Sequence, residues 1–114
     1  MLARIHAAFG AIACGIAVAL GAYASHVAQA QDGKRLALAA VFAFGHGLAL
    51  LILHMRASRL AVAAMTAIGI GVLLFCGSLA LAVFAGTPTV LAPFGGGLLM
   101  LGWGILAIDF LRSR

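Results

Sequence analysis

Residues 60–85, LAVAAMTAIGIGVLLFCGSLALAVFA, form an unbroken run of 26 residues without a single charge, and this run decides the fold. A helix rises about 1.5 Å per residue, so roughly 20 residues cross a hydrocarbon core of about 30 Å. Working outward, three further runs of that kind are predicted as helices over residues 5–27, 36–54 and 93–111. The breaks between them carry the expected punctuation: Gln29, Gln31, Asp32, Gly33, Lys34 and Arg35 in the first, Arg56, Ser58 and Arg59 in the second, Gly86, Thr87, Pro88 and Thr89 in the third. With 66% hydrophobic and only 8% charged residues and a mean hydropathy of +1.25, the 114-residue chain has too little polar surface to cover a water-soluble globule. A transmembrane barrel would show short segments of alternating polarity, and none is present. The expected fold is therefore all-α, one integral membrane domain over residues 1–114, a four-helix antiparallel bundle with short loops.

Orientation follows from the cations. Arg4, Arg56, Arg59, Arg112 and Arg114 fall on one side; Lys34 and Arg35, beside Asp32, fall on the other. Positively charged loops stay in the cytoplasm, so both termini are expected there, in a multi-pass protein of the cell inner membrane. The same topology accounts for every basic residue behind the pI near 10.8, and no nucleic-acid partner is expected. Residues 1–31 also have features of a signal peptide, with Arg4, an apolar run and Ala28-Gln29-Ala30 as a cleavage site. The run is nearer spanning length than the about 7–15 residues of a signal h-region, so the expectation is a retained first helix.

In lipid, apolar surface drives little helix association, and close backbone approach takes over. Ala3, Ala7, Ala11, Gly15 and Ala19 recur every fourth residue in the first run. Gly95, Gly96, Gly97, Gly102 and Gly104 crowd the last. Both sets read as packing faces, the glycines letting the fourth helix press against the first two. The other reading of residues 95–97 is a helix start whose uncovered N–H groups approach a polar ligand or lipid headgroup.

Four motifs point to a family. Leu20-Gly-Ala-Tyr-Ala-Ser-His26, Phe42-Ala-Phe-Gly-His46-Gly-Leu-Ala-Leu-Leu51, Leu74-Phe-Cys-Gly-Ser78-Leu79 and Ala92-Pro-Phe-Gly-Gly96 with Gly102-Trp103 resemble, in order and spacing, domain-of-unknown-function family 423, the YgdD-like and transmembrane protein 256-like small membrane proteins. The resemblance runs through nearly the whole chain. Cys76 stands where the family pattern has a serine and Ala92 where it has a threonine, so those two hydroxyls are absent. What the resemblance implies is a four-helix membrane fold with no assigned activity.

Counted along the predicted helices, His26, His46, Ser78, Pro93, Gly95 and Gly96 all fall in the outer half, where they would line one polar pocket. An ionisable residue at mid-membrane is costly and normally faces the bundle interior with a partner. For His46 that partner is expected to be Ser78 or a free carbonyl; the sharper reading is proton or solute handling. Haem would need two imidazoles at matching depth, which His26 and His46 are not. His6 and His54 read as headgroup-level residues, Asp109 and Arg112 as an interfacial pair, and Trp103 as a lipid- or helix-packed residue with one N–H to satisfy. Cys14 and Cys76 lie inside the membrane and form no disulfide framework. No catalytic, metal or cofactor site can be assembled from two acids placed near the surfaces. The expected function is that of a non-enzymatic structural, accessory or lipid- and partner-binding membrane protein. Its partners would be the bilayer and either further copies of itself or a larger membrane complex. The alternative is a small oligomeric transporter or channel built on His46.

Overall fold

The computed structural model describes residues 1–113; Arg114, counted above among the cations of one side, lies outside them. Four helices make up the fold: α1 (Leu2–Ala24), α2 (Ala30–Leu53), α3 (Arg59–Ala85) and α4 (Ala92–Arg112). There is no strand among the described residues. Each helix is long and apolar enough to cross a membrane, and together they form a body 51 × 24 × 21 Å. Large apolar side chains face outward along its length, Ile12 60% exposed, Leu73 60% and Met100 74%. Such a surface is stable against lipid and would aggregate in water. This is a multi-pass membrane protein.

The helix ends follow local chemistry more closely than hydropathy. α1 stops at Ala24 rather than at residue 27: the Ser25 hydroxyl donates to the Ala22 carbonyl at 2.8 Å and the His26 N–H turns back to the Tyr23 carbonyl at 2.9 Å. α2 begins at Ala30, six residues ahead of its apolar run. Gln31, Asp32, Lys34 and Arg35 are thus helical, with Asp32 in the first turn, where the helix dipole favours an anion, and Arg35 3.7 Å away one turn on. The Ser58 hydroxyl accepts the Ala61 N–H at 3.0 Å and caps α3. Gly86, in the left-handed region at φ 68°, ends it. Pro93 lies in the first turn of α4, where its missing N–H costs nothing.

Packing is sequential. α1 lies on α2, α2 on α3 and α3 on α4, with a lighter contact between α1 and α3; no Cα of α4 comes within 8 Å of α1 or α2. The bundle is therefore open along one side. Between α1 and α3 it leaves an apolar groove of about 230 Å³ lined by Phe9, Ile12, Ile16, Leu20, Leu73 and Cys76 among others. Two seams are tight enough to require glycine. A methyl group on Gly47 would stand 2.7 Å from the Gly10 carbonyl oxygen across α1 and α2. One on Gly95 would stand 2.8 Å from the Gly71 carbonyl oxygen and overlap the Phe75 backbone nitrogen across α3 and α4.

Two packing expectations are corrected. The α1 face that is buried carries His6, Gly10, Ala13 and Ala17, whereas Ala11, Gly15 and Ala19 of the four-residue stripe are exposed. The α4 glycines press on α3 and on neither of the first two helices, because α4 follows α3 through a short loop and only Gly95 and Gly102 fall on the shared side.

Candidate functional site

The polar side chains within the helices gather into three separate interhelical contacts. The deepest is built on His46 of α2. Its Nδ1 lies 2.7 Å from the Phe42 carbonyl one turn back. A carbonyl can only accept, so Nδ1 carries the proton and Nε2 presents a lone pair. The indole N–H of Trp103, on α4, donates to that lone pair at 3.0 Å. Both nitrogens of a neutral imidazole are thereby satisfied within the chain. The ring also stacks on Phe42, centroids 5.6 Å apart, and Phe42 meets Phe75 of α3 at 4.7 Å. Trp103, His46, Phe42 and Phe75 form a string that ties α4 to α2 across a gap their backbones do not close.

The second contact is at the end of the bundle that holds the termini. Asp109 is buried, 3% exposed. Its Oδ2 accepts from Arg56 Nε at 3.0 Å and Nη2 at 2.5 Å, and its Oδ1 accepts from the Ser58 hydroxyl. Arg56 also donates to the Ser113 hydroxyl at 2.8 Å and lies 4.1 Å over the Phe110 ring. The carboxylate is thus held by the α2–α3 loop. The expected Asp109–Arg112 pair gives way because Asp109 turns inward toward that loop, while Arg112 stays exposed.

The third contact joins α1 to α3. His6 is buried and its Nε2 lies 3.2 Å from the Thr66 hydroxyl, with Nδ1 unpartnered. His6 is thus an interhelical contact, because it sits on the same α1 face as Gly10 and Ala13. His54 is half-buried and bonds the Leu51 carbonyl at 2.6 Å.

The structure divides the six residues expected around one pocket. His26 is exposed on the α1–α2 loop, beyond the end of α1. His46 lies about 24 Å along α2 from Ala30 and about 10 Å from Leu53. Ser78 is buried in α3, and no hydrogen bond joins it to His46 among the described residues; Trp103 takes the place expected of it. Gly95 is buried against Gly71 and Phe75. Pro93 and Gly96 border a shallow groove with Phe42, Phe75, Leu79 and Met100, where Thr89 is the polar side chain. Trp103, level with His46, is about 12 Å further along α4 than Gly95.

Sequence reasoning missed four partners: Trp103, Arg56, Ser58 and Thr66. For Trp103 the signal was its unsatisfied N–H; for Arg56 and Ser58 it was a polar loop facing the end of α4 that carries one of only two acids.

Glycine seams and polar bonds between helices, with an apolar exterior, define a small four-helix membrane protein. Over residues 20–96, more than half its length, the chain matches the family described as "Protein of unknown function (DUF423)", and it belongs to that family. The match takes in His46, Arg56 and Ser58 but ends before their partners Trp103 and Asp109. No solved structure matches the chain.

Proposed function

We propose that this protein is a non-enzymatic component of the cell inner membrane, an accessory or structural subunit that works by lateral association with lipid and with other membrane proteins. Its termini and α2–α3 loop face the cytoplasm in this reading, on the strength of Arg4, Arg56, Arg59, Arg112 and Arg114 against Lys34 and Arg35.

One observation carries it: both ring nitrogens of His46 are engaged inside the chain, by Phe42 and Trp103. A proton or solute carrier needs a titratable group with a free position on a wet path. Here that group is a fastener between α2 and α4. The exposed faces of the helices are largely apolar and lie along the membrane.

The test is proton flux in proteoliposomes loaded with a pH dye, wild type beside His46→Phe. The expected result is no flux above empty liposomes for either. A flux that His46→Phe abolishes would overturn the reading in favour of a transporter. Reporter fusions after Ser113 should be active in their cytoplasmic form.

A further inference from the structure

At the end of the bundle that holds the termini, a cavity of about 390 Å³ opens between the start of α3 and the end of α4, lined by Ser58, Arg59, Leu60, Asp109, Arg112 and Ser113. Its charges are unbalanced. Asp109 is already answered by Arg56 and the Ser58 hydroxyl. Arg59 and Arg112 are both exposed, and neither is in an ion pair or a side-chain hydrogen bond among the described residues. Arg59 and Arg112 thus line one concave space whose carboxylate, Asp109, is already held by Arg56 and Ser58. Guanidinium forks match the oxygens of a phosphate in geometry and charge.

The surroundings of the cavity say which phosphate. Leu60 forms part of its wall, and Phe110 and Leu111, between Asp109 and Arg112 in α4, are 50% and 86% exposed. A phosphate held by Arg59 and Arg112 therefore has apolar surface in its neighbourhood. Free phosphate gains nothing from that surface, whereas a phospholipid lays its acyl chains along it. We propose that this cavity is a binding site for the phosphate of an anionic phospholipid, held by Arg59 and Arg112. The site is independent of His46 and of the accessory role proposed above.

The test uses the full chain in nanodiscs made of phosphatidylcholine with one-fifth phosphatidylglycerol, followed by detergent extraction and native mass spectrometry of the lipid retained. The wild type should keep phosphatidylglycerol in preference to phosphatidylcholine. With about a tenfold change for every 1.4 kcal/mol and about 1 kcal/mol for each basic residue at an anionic surface, Arg59→Gln with Arg112→Gln should retain about thirtyfold less. The control Lys34→Gln with Arg35→Gln, at the opposite end, should behave as wild type. Equal retention by the two double variants, or no preference for phosphatidylglycerol in the wild type, would overturn the proposal. The second outcome decides even if the Arg59/Arg112 variant does not fold. Displacement of the lipid by millimolar inorganic phosphate would overturn the assignment to lipid and leave a free-anion site.

Discussion

Replacing Gly95 with alanine tests whether the glycines of α4 are there for packing. The added methyl group would stand 2.8 Å from both the Gly71 carbonyl oxygen and the Phe75 Cα, and closer still to the Phe75 backbone nitrogen. These are backbone atoms, so no rotamer change relieves the overlap. α4 has to retreat by about 1 Å to bring the nearest of these atoms, the Phe75 nitrogen, to an ordinary 3.4 Å contact, and a gap of about 0.5–1 Å forfeits a quarter to a half of the dispersion energy along the seam. Overpacking of this kind costs about 3 kcal/mol at its upper end. The better helix propensity of alanine returns about 1 kcal/mol, for a net loss of about 2 kcal/mol. Gly97 is the matched control, since a methyl group there meets nothing within 4 Å and Gly97→Ala should gain up to about 1 kcal/mol. The two variants should therefore differ by about 3 kcal/mol, with Gly95→Ala the weaker. Unfolding in mixed micelles on titration with a denaturing detergent, followed by emission of the one tryptophan, Trp103, reads this difference. Equal midpoints would refute the backbone contact between α3 and α4.

Asp109→Asn should lower the midpoint of the same titration, since it leaves Arg56 without its carboxylate; the double variant Arg56→Met with Asp109→Leu should lose less than the sum of its parts, and simple additivity in that cycle would show that the pair does not interact. Trp103→Phe leaves His46 Nε2 without its donor and should cost about 1 kcal/mol. His46→Phe removes the acceptor of the indole N–H and should shift Trp103 emission to the blue; an unchanged spectrum would mean that the α2–α4 bond does not form in the bilayer.

The four spans were legible because a helix in hydrocarbon must be apolar for its whole buried length, as residues 60–85 are. The ends of those spans were less so. Hydropathy marks where the hydrocarbon stops and not where hydrogen bonding stops, and α2 begins six residues before its apolar run, at Ala30, through Gln31, Asp32, Lys34 and Arg35. His46 is set apart from the expected outer pocket by its partner Trp103, about 12 Å further along α4 than Gly95. Partner choice was hidden for a different reason. His46 and Trp103 are 57 residues apart, Arg56 and Asp109 are 53 apart, and no helical period says which of four helices face one another. Arg112 looked like the partner of Asp109 because it is three residues away; the loop arginine won because Asp109 points inward. Among the glycines expected to pack, Gly95 and Gly102 are close-approach positions, whereas Gly15, Gly97 and Gly104 face open space, and the helix that α4 approaches was not legible.

The absence of backbone contact between α4 and either α1 or α2 bears on how the chain is made. Each pair, α1 with α2 and α3 with α4, has its own glycine seam and closes on itself, so a ribosome delivering helices two at a time releases units that need no later segment to bury their tightest surface. Crosslinking positions 10 and 47 in nascent chains stalled before Ala92 reads that order. The bonds from α2 and its loop to α4, His46 to Trp103 and Arg56 to Asp109, cannot form until synthesis is nearly complete. A chain that carries them has all four helices in place, and one that lacks them leaves Arg56 and Asp109 without each other.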